Sequence, residues 1–194
     1  MASFHKPGPA VIIHATVATP RGEATIRDLV VDDIDDIVRY WHHSGTEHLE
    51  FLGIDCTKLG SPEDTRKRFL HAIRTNDVNQ ANVALAITLD QRLIGYSNLN
   101  RYGPDDNYPH LHLIDPSSRA GGVATQTVPR ILKIYFQLFP VRRLILQTHT
   151  DNTGINQVLD KYFPTAETRH FDNPDGLVGA GEFHVRYVSR SDLP

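Results

Sequence analysis

Cysteine is nearly missing from this chain: Cys56 stands alone among 194 residues. A lone thiol excludes an internal disulfide and any cysteine-rich zinc site, and it fits a reducing compartment. Long hydrophobic runs are also missing. No stretch approaches the roughly twenty apolar residues of a membrane-spanning helix. Met1 to Pro9 lack the apolar core of a signal peptide, so the expected location is the cytoplasm, with no membrane contact. Net charge is slight at -3, which argues against broad, salt-driven binding to nucleic acid. A local basic cluster, Arg66-Lys67-Arg68, reads as a solvated helix face that is still open to an anion. There is no internal repeat, linker or low-complexity tract. What is present is a chain able to bury one respectable core, most simply as a single domain.

Periodicity divides that chain into short elements. Val11 to Thr19 is rich in β-branched residues and reads as a strand, Pro20-Arg21-Gly22 as a turn, and Glu23 to Leu29 as a second strand. Ile34, Ile37, Val38 and Trp41 fall at helical spacing behind Asp32 and Asp33. Gly45 to Gly60 has no clean period. Ser61-Pro62-Glu63-Asp64 opens a second helix, expected to run to about Arg74. Asn82 to Leu89 and Leu93 to Arg101 read as antiparallel strands, and residues 103–107 as a loop. A strand follows at His110 to Ile114, stopped by Asp115-Pro116. Val128, Ile131, Leu132, Tyr135, Phe136 and Phe139 then mark the buried face of a long helix. Arg143 to Thr148 is a strand. Asp151-Asn152 caps a helix striped by Ile155, Val158, Leu159, Tyr162 and Phe163. Glu167 to Phe171 and Glu182 to Val188 complete the tail as strands joined by a Gly-rich link. This order implies one mixed α/β domain.

Between the strand ending at Pro116 and the long helix lies Arg119-Ala120-Gly121-Gly122-Val123-Ala124. A glycine pair there turns the chain sharply and brings free amides to the positive end of a helix, where a phosphate is favoured. Arg119 adds a charge suited to the same anion. The alternative reading is a tight turn whose glycines serve geometry alone.

Arg119, Gly122 and Ala124 in that spacing resemble the phosphate loop of the GNAT superfamily of acyl-CoA-dependent N-acyltransferases. A second motif, the strand RLILQTHTDN with Asn152 opening a helix that ends at Lys161-Tyr162-Phe163, resembles the same family. The resemblance spans about Ala24 to Phe163. It implies a single-domain GNAT fold, a central twisted mixed sheet flanked by helices, with an extra N-terminal strand. Residues 1–22 would be an N-terminal extension and 23–190 the acyltransferase domain. It also implies acetyl-CoA as co-substrate. The amides of Arg119, Ala120, Gly121, Gly122, Val123 and Ala124, with Thr125, would hold the pyrophosphate. Backbone groups of Leu113 and Ile114 would meet the pantetheine arm from one side and Asn152 from the other. An amine attacks the thioester directly, which calls for a base, a polarising donor and an acid for the thiolate.

Three departures from the family pattern stand out. Leu159 occupies the place of a frequent tyrosine, leaving Tyr162 as the nearest phenol. Tyr162 also replaces the glycine usual before the closing Phe. Pro129 sits in the long helix. A helix starting at Gly121 would be kinked there at a cost of roughly 3 kcal/mol, whereas one starting near Thr127 would not.

Candidate chemistry follows. His110 and His112 share one face of their strand, so each is either a base or a packed, hydrogen-bonded imidazole. With Tyr162 they form the expected catalytic set. Glu47 and Glu50 are expected to hold a cationic amine, with Trp41 or Phe51 walling the pocket and Tyr108 placed to touch substrate. No metal is expected. The expected acceptor is the primary amine of a small molecule. The rival readings are a protein N-terminal acetyltransferase needing an open groove near Glu47, an aminoacyl-tRNA acetyltransferase, and a non-catalytic acyl-CoA binder. A homodimer is possible by analogy.

Overall fold

The computed structural model describes residues 11–75, 83–102, 106–119, 121–172, 174 and 176–194. Its elements are β1 (Ile13–Thr19), β2 (Gly22–Asp28), α1 (Ile34–His43), α2 (Thr46–Phe51), α3 (Pro62–Thr75), β3 (Val83–Leu89), β4 (Arg92–Tyr102), β5 (Asp106–Leu113), α4 (Val123–Leu138), β6 (Arg143–His149), α5 (Thr153–Tyr162), β7 (Glu167–Phe171) and β8 (Gly181–Ser189). Eight strands form one sheet in the order β1-β2-β3-β4-β5-β6-β8-β7. Neighbours pair antiparallel except β5 and β6, which run parallel. The mixed sheet with helices on both faces agrees with the expected fold class, including the extra N-terminal strand.

The alternation of side chains along β3 shows how the sequence assigns the two faces. Val83, Leu85 and Ile87 join the larger core with Val128, Ile131, Leu132, Tyr135 and Phe136 of α4. Ala84 and Ala86 point the other way, into a second core with Ile37, Tyr40 and Trp41 of α1 and Tyr96 of β4. The small alanines leave room for the aromatic rings. Each fully buried Leu, Ile or Phe contributes roughly 1.5–3 kcal/mol.

Three features differ from the sequence expectation. A short helix, α2, occupies part of the stretch without clean period, because Gly45 adopts φ +83° at its start and Leu49 packs into the second core. Asp106 and Asn107 belong to β5 rather than to a loop; residues 103–105 of that expected loop lie outside the described residues. Finally, α4 starts at Val123, between the two starts considered, so Pro129 falls inside the helix. Proline has no N–H for the Thr125 carbonyl four residues back. The Tyr162 hydroxyl from α5 donates to that carbonyl instead, at 2.8 Å.

The C-terminus of α5 is held from below by Arg186 of β8, only 2% exposed. Its Nε donates to the Phe163 carbonyl at 3.1 Å and its Nη2 to Asp160 at 2.5 Å.

Candidate active site

The site begins as a flaw in the sheet. β5 and β6 pair only at Asp106↔Arg143 and Asn107↔Leu144, then diverge. The opening is a cleft of about 840 Å³, lined on one side by residues 108–113 and on the other by residues 146–149. α4 and α5 close its floor through Val128, Ile131, Leu132, Val158 and Leu159, and α1 and α2 border it through Tyr40, His48 and Phe51.

The glycine loop lies at one end. Asp115 caps a single turn at Pro116–Ser118 by accepting from the Ser117 amide at 3.0 Å. Gly122 then adopts φ +70° immediately before α4, a conformation that disfavours any side chain with a Cβ. Val123, fully buried, anchors the helix start in the larger core. The first amides of α4 have no acceptor within their own helix. Gly122, Ala124 and Thr125 line the cleft with Arg119, whereas Gly121 and Val123 do not. Ala120 lies outside the described residues.

Other expected cofactor contacts are redistributed. The Arg119 guanidinium turns back along its own strand end: Nε donates to the Leu113 carbonyl at 3.0 Å and Nη2 to the Ile114 carbonyl at 3.4 Å. It lies 5.9 Å from the Tyr40 ring centroid. Arg119 remains on the cleft wall with these bonds made. The Ile114 amide donates to Ile94 at 2.9 Å, and its side chain packs in the second core, so only the Leu113 half of that pair borders the cleft. Asn152 lines the cleft at the start of α5 without a side-chain capping bond.

The expected catalytic residues are brought close to the cleft but are mostly engaged. His112 stacks on Tyr96 at 5.2 Å and meets Trp41 and Tyr40 edge-on at 4.9 and 5.6 Å. Burial, reinforced by the charges of His110, His48 and Arg119, pushes its pKa down to about 3. Burial pushes His110 down to about 4. Both are neutral, weakly basic imidazoles at neutral pH. Burial also holds the Tyr40 phenol well above its usual range, so it stays protonated, and it shares a hydrogen bond with His112 Nδ1 at 3.2 Å. Tyr162 is absent from the lining, and its hydroxyl donates to the Thr125 carbonyl.

Of the expected acceptor residues, Tyr108 lines the cleft, its ring 5.0 Å from that of His110. Trp41 does not: it is buried behind His112, with Nε1 donating to the Tyr96 hydroxyl at 2.8 Å. Glu47 and Glu50 are exposed on α2 and outside the lining. Among the described residues the lining contains no Asp or Glu, and no three His, Cys, Asp or Glu side chains converge as a metal site requires.

Three residues were missed as site residues in the sequence. His48 lines the cleft with its Nε2 buried and lacking a hydrogen-bond partner, and burial together with the Arg119 charge lowers its pKa. His149, at the tip of β6, lines it too; Gly53 and Gly181 leave space for the ring, since a Cβ at Gly181 would stand 2.7 Å from its Nε2. Asn156, buried on α5, donates to the His149 carbonyl at 2.9 Å and accepts from Thr148, fixing the end of β6. The only sequence signal for the imidazoles was their number; their burial came from long-range packing.

Beyond α2 the chain bonds across to the segment before β8. Ile54 and Val178 form an antiparallel bridge. The Asp55 amide donates to Leu177 and that of Gly179 to Gly53, both at 2.8 Å. Lys58 Nζ adds bonds to the Pro174 and Val178 carbonyls at 3.2 and 3.1 Å.

Similar proteins agree with this geometry. RimL, a ribosomal L7/L12 alpha-N-protein acetyltransferase solved with coenzyme A, superposes with a TM-score of 0.71 at 17% identity, over 92% of this chain and 98% of that one. The ribosomal-protein-S5-alanine acetyltransferase of Vibrio fischeri gives 0.66 at 15% identity, over 88% and 95%. AAC(6')-Ib, solved with paromomycin and acetyl-CoA, gives 0.64 at 14% identity, over 87% and 94%. At such identities these structures speak for the fold. No curated protein sequence matches the chain significantly. No helix among the described residues is long and apolar enough to cross a membrane. The sequence itself matches the model of the acetyltransferase (GNAT) domain across residues 24–162, which contain the glycine loop, the splayed strands and α5. The chain therefore belongs to the GNAT acetyltransferases, enzymes that take acetyl-CoA as co-substrate.

Proposed function

We propose that the enzyme acetylates the primary amine of a small molecule that enters the cleft beside α2. The observation that supports this reading is the bridge and hydrogen bonds that join Gly53, Ile54 and Asp55 to Leu177, Val178 and Gly179 beside the cleft, which narrow that side for an extended peptide. The acceptor end is walled by Tyr40, His48, Phe51, Tyr108, His110, His149 and Phe183, with no carboxylate among its described residues. Such a wall suits an amine that is uncharged when it arrives. The acetyl-CoA phosphates would lie over the glycine loop and the first turn of α4, and the pantetheine arm along Leu111 and Leu113, opposite Asn152. The amine nitrogen attacks the thioester carbonyl; the C–N bond forms, the C–S bond breaks, and the nitrogen loses a proton. His48 is our candidate to receive that proton, because its buried Nε2 has no other partner. His112 positions the Tyr40 hydroxyl.

A second reading, acetylation of a protein N-terminus, is favoured by relatives such as RimL and the S5-alanine enzyme. A panel of small amines and short peptides with free N-termini, assayed for thiol release from acetyl-CoA, separates the two. Turnover of small amines with low amine pKa is expected. Turnover confined to peptides would replace the first reading with the second.

A further inference from the structure

The tip of the β1–β2 hairpin sits on the glycine loop. A Cβ on Gly122 would stand 3.3 Å from Pro20 Cγ, and one on Gly121 would overlap Arg21, 2.2 Å from its Cδ. Arg21 Nη1 donates to the Ser117 carbonyl at 2.7 Å. Its aliphatic stem thus covers the glycine while the exposed guanidinium rests beside the loop. Asp115 is the carboxylate it faces; against its own burial, Asp115 is held below the usual range by the Ser117 hydrogen bonds and the charges of Arg92 and Arg21. Meanwhile Arg119 spends its guanidinium on the Leu113 and Ile114 carbonyls. Two donors of the loop's own arginine are thus engaged at the cleft wall, and a second arginine has been brought to the loop by a strand pair that begins before residue 24, where the family match starts.

We infer that Arg21 is a ligand of the acetyl-CoA pyrophosphate, supplied by the N-terminal hairpin in place of the Arg119 side chain. A guanidinium has five donors in a fixed fork, and one bond to Ser117 leaves others for a phosphate oxygen. The glycine at position 121 then has a specific use: it lets the arginine stem lie flat against the loop, close to the amides that face the same anion. Arg119 is a positioning residue that orders the end of β5.

The test is calorimetric titration of the full chain with CoA and with 3′-dephospho-CoA, for the wild type and for Arg21→Met and Arg119→Met. Methionine keeps the stem over Gly121 and removes the charge. Arg21→Met is expected to weaken both ligands roughly tenfold, as loss of one charge-assisted bond at an exposed site does. The same variant should raise KM for acetyl-CoA with kcat unchanged, and leave the thermal midpoint unchanged. Unaltered affinity in Arg21→Met, with the loss appearing in Arg119→Met, would overturn the assignment. A loss seen with CoA but not with 3′-dephospho-CoA would overturn it too, by moving the contact to the 3′-phosphate. Neither result depends on the acceptor, so the small-amine reading stands or falls separately.

Discussion

Tyr162 can be assigned a role by one double-mutant cycle. Pro129 deprives the Thr125 carbonyl of its helical donor, and the Tyr162 hydroxyl supplies a replacement at 2.8 Å from a neighbouring helix. Tyr162→Phe removes that donor and little else. Leaving a buried carbonyl unsatisfied costs about 1–3 kcal/mol, and because the bond is only partly buried the low end applies, about 1 kcal/mol. For a chain of this length that is a fall in thermal midpoint of roughly 2–4 °C. Pro129→Ala returns an N–H to the helix, which then competes for the same carbonyl. In that background Tyr162→Phe should cost less than about 0.5 kcal/mol, because the carbonyl keeps a partner. Urea unfolding of the four proteins measures the coupling, and acetyl-transfer rates are taken on the same samples. Equal losses in both backgrounds would refute the carbonyl argument. A rate reduced by orders of magnitude at unchanged stability would return Tyr162 to the role of thiolate acid.

Two further outcomes are expected. His110 and His112 have folded pKa values of about 4 and about 3, below the ordinary histidine value of 6.5. The unfolded chain therefore binds more protons as pH falls below that value, and stability drops by about 1 kcal/mol per pH unit for each histidine until the folded pKa is reached. Urea midpoints at pH 7 and 5 check this, and a flat profile would contradict the burial of both rings. In the ion pair between β8 and α5, the Arg186 side chain is 1% exposed and that of Asp160 57% exposed. Asp160→Asn strands a buried charge and should cost roughly 3 kcal/mol, more than Arg186→Met, which removes that charge; the reverse order in unfolding experiments would contradict this.

Where local pattern decides structure, the sequence was readable. The alternation in β3 and the apolar stripe of α4 follow from strand and helix periods, and Gly122 announced a turn. What was not readable depends on contacts between distant segments. Six residues of α2 fall below the length at which a helical period can be recognised, and Leu49 holds them only because the second core exists. Glu47 and Glu50 sit on α2, whose His48 and Phe51 line the cleft, but the rotation of the helix turns the two carboxylates to solvent. His112 was marked as a base and Trp41 as a pocket wall, yet the two pack together in an aromatic cluster drawn from α1, β4 and β5. Nothing local to Pro20 and Arg21 reports that their turn reaches the loop at Gly121.

The two-residue seam between β5 and β6 has a mechanical consequence. β1 to β5 form one continuous set of ladders, and β6, β8 and β7 form another. Asp106, Asn107, Arg143 and Leu144 act as the spine of a half-open book, reinforced by the Arg143–Asp106 ion pair at its outer end. A ligand lying between the pages would act as a wedge that is also a splint, replacing missing rungs while propping the leaves apart. Opening and closing about that spine would change the width of the cleft without breaking either set of ladders. The same flaw that admits the co-substrate therefore gives this sheet its axis of flexure.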